Sequence, residues 1–76
     1  MINIQDIIPF MKDGWVAMDK NGEWWWYSEK PFIVGEQWHT EINSSTGMID
    51  NSCFDIAPAD DWTKSLIKVG RNGIKV

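Results

Sequence analysis

The chain is poor in the residues that staple small proteins. Its 76 residues include one cysteine, Cys53, and one histidine, His39. A single thiol forms no intrachain disulfide, and one residue of each type does not assemble a zinc centre of the usual Cys/His kind. Long apolar runs are missing too, so no segment approaches the roughly 20 residues of a membrane-spanning helix. Asp6 and Lys12 interrupt the apolar N-terminal residues that a signal peptide requires. An unpaired cysteine without an export signal points to a reducing cytoplasm. Basic residues are scarce until the end. Residues 1–61 carry three Lys against all eleven acids, whereas residues 62–76 carry Lys64, Lys68, Arg71 and Lys75 and no acid. The acidic body repels phosphate backbones, which argues against double-stranded nucleic acid as a partner. A glycine-rich phosphate loop, a serine nucleophile elbow and a cluster of metal ligands are all lacking.

What the chain has instead is tryptophan, six residues in 76. A chain of this length makes one domain, residues 1–76, and buries only about 60% of its unfolded surface. With no disulfide or metal, its core depends on dense packing or on an oligomer interface.

The pattern predicts an α+β fold, a small antiparallel sheet with short N-terminal and C-terminal helices. Residues 3–12 read as a helix, with Asn3 as cap, Asp6 in the first turn, and Ile4, Ile7, Ile8 and Met11 on one face. Pro9 bends or shortens it. Residues 15–19 and 23–28 read as a hairpin around Lys20-Asn21-Gly22, with Gly22 or Asn21 at positive φ. Phe32-Ile33-Val34 is a short strand or an apolar loop, Gly35-Glu36 a turn and residues 37–42 a third strand. Residues 43–47 form a turn and residues 48–56 a fourth strand, with Asp50-Asn51-Ser52 as a bulge or break. Pro58, Asp60 and Asp61 mark a helix start, Trp62, Leu66 and Val69 follow helical spacing, and Gly70 stops the helix. The tail from Arg71 frays or adds an edge strand.

Side chains alternate across a strand, so Trp24 and Trp26 share one face of the hairpin and Trp25 and Tyr27 the other. The partner strand is apolar on both faces as well. A one-sided sheet needs a polar solvent face, so this hairpin must be covered twice. Helices, a second subunit or a ligand are the available covers, and a homo-oligomer is expected. The candidate partner or ligand surface comprises Trp24, Trp25, Trp26 and Tyr27, with Trp38 as a wall. Residues 62–76 supply the only concentrated positive charge, with Lys64 and Arg71 as the candidate contacts, and stacking rings beside Lys or Arg are how proteins hold nucleotide-like anions.

Catalytic candidates are weak. Asp60 and Asp61 are explained by helix capping. The remaining carboxylates Asp19, Glu23, Asp50 and Asp55 show no pairing pattern. His39 and Cys53 make a nucleophile–base pair only if their strands adjoin. No catalytic residue, metal ligand or cofactor is assigned, and the chain reads as a non-enzyme.

The run Trp15-Val16-Ala17-Met18-Asp19-Lys20-Asn21-Gly22-Glu23, then Tyr27-Ser28-Glu29-Lys30-Pro31, Trp38 and Ala59-Asp60-Asp61-Trp62-Thr63-Lys64-Ser65-Leu66, resembles small uncharacterised proteins of phages and prophages. The likeness spans roughly residues 14–67. A fainter similarity is to the second Thoeris anti-defence family, phage proteins that sequester a nucleotide-derived signal. It rests on residues 3–12, Gly14, the hairpin and Ala59-Asp60-Asp61-Trp62, while Trp15-Val16-Ala17 stands where that family has basic residues. These resemblances imply a non-catalytic binding protein in the host cytoplasm, inhibiting a host protein by stoichiometric binding. The alternatives are a sponge for a nucleotide-like small molecule and a dimeric accessory protein without a ligand.

Overall fold

A computed structural model describes residues 1–41, 44–49 and 55–70. The fold is α+β, a four-stranded antiparallel sheet and a separate two-stranded hairpin, with one N-terminal helix and a short 3-10 turn near the C-terminus. Helix α1 covers Ile4–Ile7 and runs into a 3-10 turn over Ile8–Phe10. Asn3 caps it as expected, its Oδ1 accepting from Gln5 N–H at 2.9 Å. The helix is shorter than residues 3–12 because Pro9 has no N–H to donate.

Strands β1 (Gly14–Met18) and β2 (Trp24–Tyr27) form the central hairpin, with Trp15 opposite Tyr27 and Met18 opposite Trp24. Asp19 N–H donates to the Glu23 carbonyl at 2.9 Å, and the loop between them places Gly22 at φ +93°. This is a three-residue hairpin loop closed by a glycine in the left-handed region. Strand β3 (Phe32–Val34) and β4 (Gln37–His39) form the second hairpin. Its two-residue turn has Gly35 first, at φ +65°, as a type II′ turn requires.

The region after β4 departs from the sequence reading. Ser44 N–H donates to the Glu41 carbonyl at 3.1 Å. Strand β5 is Thr46–Met48, starting inside the expected turn and ending on the first residue of the expected fourth strand, and pairs with β2. Most of the expected strand 48–56, including Cys53, lies outside the described residues; Ile56 forms an isolated parallel bridge with Ile2.

The expected C-terminal helix is reduced to a 3-10 turn at Trp62–Lys64, and residues that were to complete it form β6 (Ile67–Val69). Asp61 caps the turn, its Oδ1 accepting from Thr63 N–H at 3.0 Å and from the Thr63 hydroxyl at 2.6 Å. Those bonds hold its carboxyl below the usual range, the Thr63 hydroxyl most of all. Ser65, which is buried, accepts Met18 N–H at its Oγ at 2.8 Å and donates to the Trp62 carbonyl at 2.7 Å. Serine competes with helical bonding in this way. The β-branched Ile67 and Val69 then enter the sheet opposite Val16 and Gly14.

The sheet order is β5-β2-β1-β6. On one face Val16, Met18, Trp24 and Val69 form the main core with Ile4, Ile49 and Ile56, and Ile7, Ile8 and Met11 pack against it. On the other face Ala17 and Tyr27 are covered by Trp38 of the second hairpin, flanked by Trp15, Trp25, Trp62 and Leu66. The doubly aromatic hairpin is therefore covered within one chain, by the α1 segment and by β3–β4.

Candidate functional site

The docking of the second hairpin creates the cleft of interest. Trp38 is held at three points. Its backbone N–H donates to Asp19 Oδ1 at 2.9 Å, its indole Nε1 to the Met18 carbonyl at 3.1 Å, and its carbonyl faces the Tyr27 hydroxyl at 3.5 Å. Between this plug and the β2–β5 edge lies a cleft of about 420 Å³ lined by Asp19, Trp25, Tyr27, Trp38, His39, Glu41 and neighbouring polar residues.

The cleft is aromatic and acidic. Among the described residues two carboxylates, Asp19 and Glu41, line it, and no lysine or arginine does. Asp19 is 5% exposed. The Tyr27 phenol is pushed well above its usual pKa, first by burial and then by the negative charge of Asp19. Trp25 adds a solvent-shielded indole N–H with no acceptor among the described residues. The Trp24 indole N–H, in the core on the opposite face, is likewise without an acceptor among the described residues.

The sequence candidates are thus divided. Trp25, Tyr27 and Trp38 come together in the cleft. Trp24 is 2% exposed in the core on the opposite face. Trp26 shares that face, and its Nε1 donates to the Lys12 carbonyl at 3.1 Å, pinning the segment after α1. Lys64 lines a different depression, of about 410 Å³, beside Asn3, Ile4, Trp24 and Asp60. Arg71 lies outside the described residues, as does Cys53, so the conditional pairing of Cys53 with His39 falls outside them too.

A basic–aromatic combination does occur, at a place the sequence did not indicate. The Lys68 and Lys30 ammonium groups lie 5.1 and 5.6 Å from the Trp15 ring centroid. Lys68 reaches Trp15 because β6 pairs with β1, a register that the helical reading of residues 62–69 concealed. Glu41 was also missed; it follows β4 by two residues and lines the cleft.

Among the described residues no three His, Cys, Asp or Glu side chains gather as metal ligands, and no helix is long and apolar enough to cross a membrane. No family model, curated protein or solved structure matches the chain.

Proposed function

We propose that the chain is a non-catalytic binding protein that occupies a basic surface of a partner protein, taking a lysine or arginine side chain into the cleft between β4 and β2. The observation that carries this reading is the cleft's make-up: Trp25, Tyr27 and Trp38 walls with Asp19 and Glu41, and no lysine or arginine among the described lining residues. Aromatic faces attract cations, and the two carboxylates reinforce that attraction. The acidic body speeds encounter with a basic surface. Stoichiometric inhibition of a host protein, the mode implied by the resemblance to small phage proteins, fits a site of this kind. A phosphate-bearing ligand fits it poorly, because Lys64 is on the other side of the sheet and the cleft walls are acidic.

The test is a titration of the ¹⁵N-labelled chain with an arginine-rich peptide and, separately, with linear and cyclic nucleotides. The peptide shifts the Trp25 indole N–H resonance, and salt weakens the effect. Glu41→Gln and Trp25→Ala each weaken binding by about 1–2 kcal/mol, roughly 5- to 30-fold. Nucleotide binding with no peptide response, or shifts confined to Trp15, refutes the assignment.

A further inference from the structure

The β3–β4 hairpin has one closed edge and one open edge. Its two-residue turn makes Val34 and Gln37 a hydrogen-bonded pair. Ile33 and Trp38 are the next pair, and their backbone N–H and C=O groups point outward. On the β4 side these groups are taken up, Trp38 N–H by the Asp19 carboxylate and the Trp38 carbonyl by the Tyr27 hydroxyl. On the β3 side the Ile33 N–H and C=O have no partner among the described residues. The same strand exposes three consecutive apolar side chains, Phe32 at 47%, Ile33 at 41% and Val34 at 51%. Edges of this kind are usually blunted with charge or proline within the strand, and they recruit another strand when they are not.

We propose that β3 pairs with β3 of a second copy of this chain, antiparallel about a two-fold axis through Ile33. The two hairpins become one four-stranded sheet. The strand is complementary to itself in this register. Ile33 faces the second copy's Ile33 and exchanges both backbone hydrogen bonds with it. Phe32 faces the second copy's Val34, an aromatic–β-branched pair of the kind that stabilises sheets. Pro31 lacks a backbone donor, so the ladder ends after the Ile33 pair and the register does not slide. The contact is short and lies below the standard interface size, which makes the dimer reversible and dependent on concentration. This surface lies on the opposite edge of the hairpin from the acidic cleft and does not depend on the function assigned to that cleft.

Sedimentation equilibrium from about 10 μM to about 1 mM is expected to show a rising dimer fraction. The doubly substituted chain Phe32→Lys/Val34→Lys places like charges opposite each other across the axis and stays monomeric throughout. The chain Phe32→Lys/Val34→Glu places opposite charges there instead and dimerises again, with the recovery lost in high salt. Both positions are about half exposed, so the fold tolerates them. Hydrogen exchange of the Ile33 amide, which slows as the parent chain is concentrated, reads the pairing without any variant. A parent chain that stays monomeric overturns the proposal. So does a dimer that persists in the Lys/Lys chain, or an Ile33 amide whose exchange ignores concentration.

Discussion

Removing the Asp19 carboxylate tests how the second hairpin is held to the sheet. Asp19 is 5% exposed and takes no part in an ion pair among the described residues. Its Oδ1 accepts the Trp38 N–H at 2.9 Å across 19 residues of sequence. Asp19→Ala leaves that N–H buried without an acceptor, which costs about 1–3 kcal/mol. Relief from desolvating the carboxylate offsets part of this, so the expected net loss is about 2 kcal/mol. Asp19→Asn keeps an acceptor oxygen at the same place and loses only the charge, so its expected cost is about half as large. A domain of this length has roughly 4–11 kcal/mol in total, and each kcal/mol moves its Tm by about 4–8 °C. Asp19→Ala is therefore expected to melt roughly 8–16 °C below the parent, with Asp19→Asn between them. Urea unfolding followed by tryptophan fluorescence measures the same ranking. An alanine variant as stable as the parent, or an asparagine variant as damaged as the alanine one, refutes the role assigned to this hydrogen bond.

Two further predictions concern backbone and titration. A Cβ at Gly22 meets nothing within 4 Å, so Gly22→Val suffers only from its φ of +93°, an expected loss of about 1–2 kcal/mol. A Cβ at Gly14 falls against the Tyr27 carbonyl oxygen and 2.9 Å from the Trp26 ring, so Gly14→Ala is expected to cost about 3 kcal/mol, the larger of the two in denaturant. Tyr27 is the single tyrosine, so phenolate absorbance reports it alone. Its folded pKa is raised, so its contribution to stability is complete below the unfolded value of about 10 and is lost as pH climbs towards the folded value. Phenolate is expected to appear only above the ordinary range, and to appear earlier in Asp19→Asn, where one of the two causes of the shift is gone. A normal phenol titration in the folded parent contradicts the burial described.

The central hairpin was legible because local chemistry specifies it. Asn21-Gly22 gives the turn, and the alternation of Trp24, Trp25, Trp26 and Tyr27 fixes which rings share a face. The Asn3 cap and the effect of Pro9 were equally local. The C-terminal segment misled because Trp62, Leu66 and Val69 satisfy a helical period while Ile67 and Val69 satisfy a strand period. The contact that decides between them, Ser65 with Met18, spans 47 residues and leaves no local trace. For the same reason the sequence indicated that two aromatic faces needed cover without indicating that the second hairpin covers one. That arrangement depends on Asp19 meeting Trp38, and the cleft exists only once they have met.

The strand order has a consequence for how the chain reaches its native state. β1 lies between a neighbour that follows it after one tight loop and another, β6, that arrives after every other strand. The near pairing closes at the cost of a short loop, and the far one must wait for a long loop to close. During synthesis the outer edge of β1 is therefore bare while β2 to β5 emerge, and the Met18 N–H waits for Ser65. A nascent chain arrested before Ile67 presents that edge to its neighbours on the polysome, so the hazard of mispairing persists until β6 arrives.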